Sequence, residues 1–338
     1  MSEAGRNETG SAANGAGLDR ASLDASPFAL RVLRKYGLVI ALAIMLLVLS
    51  LTARNFLTLP NLMNILLQSA NIGIMAAGLT LVIIAAEIDL SVASLQTLGA
   101  VVVAMLLVNY EVPILPAILL TLLVGAAAGA FSGFFTGWFS IPAFILTLAV
   151  DSLARGTSLI LTDGTTIFAL PDAYSFIGQG YVGPVPVAGL IMIAVFVVMH
   201  FVLTRTVLGT NIYAVGGSKE AARVAGVNVF AVKLVVLMIS GMCAALAGIV
   251  MASRLMAAQP TLGMFDLMDV IAAVVIGGTS LLGGEGRIIG TVIGTFIIAS
   301  MRNGLNLLGI RPDWQLIAVG TIIVLAVLVD YVGRKRIA

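Results

Sequence analysis

The stretch LTLVIIAAEIDLSVASLQTLGAVVVAMLL, Leu79 to Leu107, carries two carboxylates, Glu87 and Asp89, near the middle of an almost unbroken apolar run. Two readings compete. Either the pair sits in a tight turn between two membrane helices, or it is buried in a bilayer at high cost for a functional reason. The rest of the chain is as apolar as this stretch. Hydrophobic residues make up 60% of its 338 residues and charged residues 10%, whereas about a quarter of a soluble domain is charged. Mean hydropathy is +1.12. A helix needs roughly 20 apolar residues to cross a bilayer, so the length accommodates about ten spans with short loops. The expected fold class is all-α, a polytopic helical membrane protein.

Apolar spans are expected near 37–53, 65–86, 90–108, 114–137, 142–161, 185–203, 230–252, 268–283, 288–308 and 315–332. The eighth is short enough to be re-entrant. Lys and Arg alternate unevenly across the connecting loops. One side holds Arg31, Arg34, Lys35, Arg205, Lys219, Arg223, Arg287, Arg334, Lys335 and Arg336; the other holds Arg54, Arg254 and Arg311. Positive charge stays inside, so both termini are expected in the cytoplasm.

Residues 1–30 open with MSEAGRNETGSAANGAGLDRASLDAS. Such a composition cannot bury an apolar core and reads as a disordered cytoplasmic tail, ahead of a single membrane domain, 31–338. It lacks a signal peptide's apolar segment and cleavage site, so the first span is expected to stay as an anchor. The formal charge of +2 gives no ground for nucleic-acid binding. Cys243, within LMISGMCAALAGIV, cannot form an intrachain disulfide and reads as a small buried hydrophobe.

The run from Leu62 to Val108 is too long for one helix, and AEIDLS supplies a polar turn in which Asp89 and Ser91 can cap the following helix. A second charged pair lies deeper: Asp151 and Arg155, at i and i+4, stack on one helix face near mid-span. They read either as a self-neutralising structural pair or as the polar lining of a solute path. Arg302, Asn303 and Asn306 interrupt the ninth span and either line such a path or bond between helices.

The longest loop on the positive side, 204–229, contains VGGSKEAARVAGVN. A Gly216–Gly217 turn leads into a short helix, with Ser218 as N-cap and Glu220 at the positive end of the dipole. Ala221 and Ala222 permit close approach by a partner surface, and Gly226 ends the helix. A docking knob and an ordinary connecting helix are equally consistent with these residues.

This loop resembles the EAA-x-x-x-G loop of ABC-importer permeases, matched by Glu220, Ala221, Ala222 and Gly226. Three further segments resemble the permeases of the ribose, xylose and galactose importers: GLTLVIIAAEIDLSVAS (78–94), PAFILTLAVDSLARGTSLILTDG (142–164) and VIAAVVIGGTSLLGGEGRIIGTVIGTFIIASMRNGLNLLGI (270–310). The resemblance runs in order from about Phe56 to the C-terminus. The chain departs from the usual GGIDLSVG by carrying Glu87 for the second Gly and Ala93 for the last. Asp151 also stands where that family has an apolar residue.

The resemblance implies a monosaccharide importer's membrane subunit in the bacterial inner membrane, surrounded by lipid. Its partners would be an ABC ATPase subunit, a periplasmic sugar-binding protein and a second permease copy, a homodimer. ATP and Mg would belong to the ATPase, with no cofactor in this chain, and 204–229 would be the ATPase-coupling loop. The polar residues Asp89, Ser91, Asp151, Arg155, Asn303 and Asn306 are candidates for the translocation path. The alternative is an ion-coupled secondary transporter using Glu87, Asp89 or Asp151. Enzymatic readings find little to stand on. The glycine-dense GGTSLLGGEGR (277–287) has no Gly-Lys-Ser/Thr and is not a P-loop, and reads as packing or as a helix break. His200, the single histidine, has no Cys or acidic residue nearby with which to bind a metal, and no nucleophile to serve.

Overall fold

The computed structural model describes residues 28–321 and Val324. The expected tail lies outside the described residues apart from 28–30, where helix α1 (Phe28–Thr52) begins. Then come α2 (Leu59–Ile84), α3 (Val92–Val108), α4 (Ile114–Trp138), α5 (Ala143–Thr162), α6 (Ser175–Gln179), α7 (Val187–Arg205), α8 (Val207–Gly217), α9 (Lys219–Val224), α10 (Val229–Leu255), α11 (Asp266–Ile276) and α12 (Ile288–Leu307). Residues 312–321 are helical as well. A two-residue antiparallel hairpin, β1 (Tyr181–Val182) and β2 (Val185–Pro186), precedes α7.

Among the described residues, six helices are long and apolar enough to cross a membrane: α2, α4, α5, α7, α10 and α12. The apolar stretch Val39–Thr52 of α1 and helix α3 are shorter. The expected eighth span, 268–283, is an 11-residue helix, α11. It stops because Gly278 turns into the left-handed region at φ +80°, where a residue without Cβ is unstrained. The tenth expected span, 315–332, lies mostly outside the described residues.

Every residue of α2 from Ser69 to Ile84 is buried. A helix apolar on all sides must be surrounded, and α7, α10, α11 and α12 enclose this one. Helix α10 runs beside it and packs also on α3 and α4. The α4 contact follows from sequence: Gly125, Gly129, Gly133 and Gly137 recur every fourth residue, one face of a helix. A Cβ at any of them would strike α10 at Gly241, Leu237, Leu234 or Phe230. Backbones approach this closely in membranes only through such small residues.

Burial falls outward from this centre, from 89% of the α2 span to 22% of α4 and of α5. The outer faces carry Leu119, Leu123, Leu153, Ile160, Val197 and Phe201 in the open, a hydrocarbon-facing surface on helices of this composition.

Polar contacts gather at two opposite ends of the bundle. At one end the chain around Ile84–Asp89 meets Tyr213, Gly216, Lys233 and Gly284–Gly286. At the other, Asn61 meets Asn303, and Tyr174 and Gly178 meet Ile249 and Ser253 of α10. There too Ile167 bridges Ala258.

Candidate functional site

Two successive N-caps make the loop 204–229. Thr206, extended at φ −119°, accepts Gly209 N–H at its hydroxyl (3.2 Å) and starts α8. Ser218, at φ −160°, accepts Ala221 N–H (3.2 Å) and starts α9. The change of direction is therefore at Ser218, and Gly216 and Gly217 are the last residues of α8 instead of a turn. Gly216 is small for another reason: a Cβ there would overlap the Ile84 carbonyl oxygen and Gly284 N. Gly284 N–H donates to that same carbonyl (2.9 Å). The end of α8 thus wedges against the break after α2 and the glycine turn after α11. Tyr213 adds a third tie, its hydroxyl donating to Gly286 O at 2.8 Å.

Helix α9 closes with paired bonds from Gly226 N–H to Arg223 O (3.0 Å) and Val227 N–H to Ala222 O (2.9 Å), with Gly226 left-handed at φ +84°. This is a Schellman ending, as the sequence anticipates for Gly226. Glu220, Ala221 and Gly226 are exposed, and Val224 is 90% exposed at the tip. Ala222 is buried at 4%. Its small size serves packing within the chain, which corrects the expectation that both alanines face outward. Burial, then the neighbouring Lys233 ammonium, holds the Lys219 amine below the ordinary lysine range.

The carboxylates of the opening stretch occupy a break between α2 and α3, residues 85–91. Glu87 pairs with Lys233 of α10, both side chains largely buried. Asp89 is 1% exposed. Its Oδ1 accepts Ser91 N–H (2.9 Å) and the Ser91 hydroxyl (2.6 Å), while its Oδ2 accepts the Ser240 hydroxyl of α10 (2.7 Å). Ser91 occupies the N-cap position of α3 without making a side-chain cap bond. Its backbone is already helical, at φ −89° and ψ −6°, and its hydroxyl donates to Asp89, so Asp89 fixes the break and neither residue caps α3 as expected.

Asp151 and Arg155 form the anticipated i, i+4 pair, Oδ2 to Nε at 2.9 Å. The buried stripe of α5, Ala143, Thr147, Val150, Ala154 and Ser158, lies beside them. The pair stays partly open, with 34% of the Arg155 side chain accessible. Asn303 is buried and accepts from Asn61 Nδ2 (2.9 Å), and Asn306 accepts from Gln315 Nε2 (2.7 Å). Both bond between helical segments.

A polar cluster around the start of α11 escaped the sequence reading. Asp266 Oδ2 accepts from Asn71 Nδ2 (3.0 Å) and Gln96 Nε2 (3.1 Å), and Asp269 Oδ2 lies 2.6 Å from Arg302 Nη2. The available signal was Asp266 and Asp269 at i and i+3 opening a short apolar helix, with Asn71 and Gln96 alone in otherwise apolar runs.

A family profile described as "Branched-chain amino acid transport system / permease component" matches residues 61–327. The chain belongs to that family. The permease is 43% identical over 304 residues to the ribose import permease protein RbsC of Haemophilus influenzae, covering 88% of this chain and 94% of that protein. It is 39% identical over 304 residues to the D-allose transport system permease protein AlsC of Escherichia coli K12, covering 89% and 93%. With the xylose transport system permease protein XylH of the same organism it shares 35% over 356 residues, covering 87% and 91%. No solved structure gives a significant match. The permease is thus a transport component of the membrane and not an enzyme, and its spanning helices make it a multi-pass protein.

Proposed function

We propose that the permease is the transmembrane subunit of an ATP-driven bacterial importer in the inner membrane, passing a monosaccharide delivered by a periplasmic binding protein. Relatives named for ribose, D-allose and xylose support the substrate class. In this reading ten helices cross the membrane with both termini in the cytoplasm. The end that gathers Lys219, Lys233 and the neighbourhood of Arg287 is cytoplasmic, in keeping with the positive-inside rule.

The observation that carries the coupling mechanism is the wedge of α8. An ATPase docked on the exposed Glu220, Ala221, Val224 and Gly226 pushes on α9, and Gly216 passes the movement to Ile84 and Gly284. Both helix breaks, 85–91 and 277–287, therefore move with the loop. ATP and Mg sit on the ATPase. Two permease copies pair, since charges facing lipid are costly and the half-open Asp151–Arg155 pair gains cover at an interface. The solute path then runs between the copies, past that pair. An ion-coupled mechanism would need a carboxylate free to exchange protons with solvent. Glu87 is tied to Lys233, Asp89 to Ser91 and Ser240, and Asp151 to Arg155.

The test is uptake of radiolabelled ribose, xylose and allose into vesicles holding the permease and its ATPase, with loaded binding protein outside. Uptake should require both ATP and binding protein. Uptake by the permease alone under a proton or sodium gradient overturns the proposal.

A further inference from the structure

Between α2, α10, α11, α12 and the helical residues 312–321 lies a cavity of about 170 Å³. Its polar lining includes Asn71, Arg254, Asp266, Arg302, Asn306 and Gln315. A water needs only about 10–15 Å³ of such volume, so the space is large enough for a small organic molecule. Two features distinguish it from an ordinary buried network. Asn71 is 6% exposed and gives its amide N–H to Asp266, yet its Oδ1 has no partner, and neither has Arg302 Nε. Buried polar atoms in native proteins are normally paired. An acceptor and a donor left open on facing helices are what a hydroxyl, which both donates and accepts, would complete.

From this geometry we infer that each permease subunit holds its own binding site for one neutral polyhydroxylated solute, a monosaccharide, in this cavity at the outward end. The inference rests on the importer reading above and adds to it a site within one subunit. Charge sets the ligand class. The lining carries two cations, Arg254 and Arg302, and one carboxylate, Asp266. Asp269, outside the lining, pairs with Arg302, so with that partner counted the charges cancel and favour no net charge on the ligand. The amides of Asn71, Asn306 and Gln315 supply hydroxyl partners, while Ile72, Met251 and Ala299 supply an apolar wall for a sugar's C–H face.

Gln68 also lines the cavity and provides the probe. Gln68→Cys is placed on a Cys243→Ala background, and the permease with its ATPase is reconstituted in vesicles. Alkylation of the introduced thiol by N-ethylmaleimide is timed with D-ribose, D-xylose or L-leucine present in excess. The sugars should slow alkylation several-fold and leucine should not. Asn71→Leu should weaken protection roughly fivefold, the fold-change of about one neutral hydrogen bond. If Asn71→Leu does not fold, Asn306→Leu, at the exposed rim, should weaken it likewise. Equal alkylation rates with and without both sugars overturn the inference, as does protection by leucine alone. ATP-driven sugar uptake by the unsubstituted transporter, measured in parallel, separates the two claims: its absence defeats the importer reading, and its presence beside an unprotected thiol defeats only the subunit site.

Discussion

Glu87 and Lys233 show what a single contact does in this protein. Their side chains are largely buried and join the α2–α3 break to the start of α10, one turn past the loop that carries α9. Removing one partner strands a charge in a low-dielectric setting and costs about 3–5 kcal/mol, whereas removing both is often nearly neutral. Lys233→Leu should therefore lower the thermal midpoint of the detergent-solubilised protein sharply, and Glu87→Leu with Lys233→Leu should recover most of the loss. A double variant worse than either single would show that the two do not act as a pair. Sequence reading reached the Asp151–Arg155 pair because i, i+4 spacing is local. It could not reach Glu87–Lys233, nor the bond from Ser240 to Asp89, 151 residues apart. Those partners meet only when α10 packs on α2, and no local periodicity encodes that.

At the scale of the element, close backbone packing and helix endings decide the structure. The four-glycine face of α4 lies on α10, and a Cβ at Gly129 would meet the Leu237 carbonyl, which has no side-chain freedom with which to yield. Gly129→Leu should destabilise by about 1–3 kcal/mol or more, seen as lost monodisperse yield in size-exclusion chromatography. Gly226 is a contrasting case. A Cβ at this position would meet nothing within 4 Å, but the backbone φ is +84°. Gly226→Ala should cost about 1–2 kcal/mol through the left-handed backbone alone. Hydrogen exchange should quicken in 219–227 while the membrane helices keep their protection; unchanged exchange there would contradict the Schellman ending as the anchor of α9. The capping residues Ser218 and Gly226 were legible because caps are sequence-local. The inward direction of Ala222 was not, since it depends on where α9 lies against its neighbours. The single helix α11 in place of a full eighth span was half legible, from its short apolar length.

For the whole molecule, family and membrane class were readable from composition and from the ordered segments, which the profile match over 61–327 bears out. The polar cavity was not, because its lining comes from five separate helical segments. Orientation is open to direct measurement. Reporter fusions at Gly178 and Ser218 should report opposite sides of the membrane, Gly178 outside, because those residues lie at opposite ends of the bundle. Reports from one side would contradict the proposed orientation. The central claim is that force from an ATPase enters through α9. Ala221 is exposed and Ala222 is buried, so the two alanines separate docking from folding. The measurement is ATP-driven sugar uptake by vesicles carrying Ala221→Trp, set beside the amount of folded permease. Docking on α9 predicts normal folded permease with uptake abolished and stimulation of the ATPase by loaded binding protein lost, while Ala222→Trp loses the folded protein itself. Undiminished uptake by folded Ala221→Trp would contradict it.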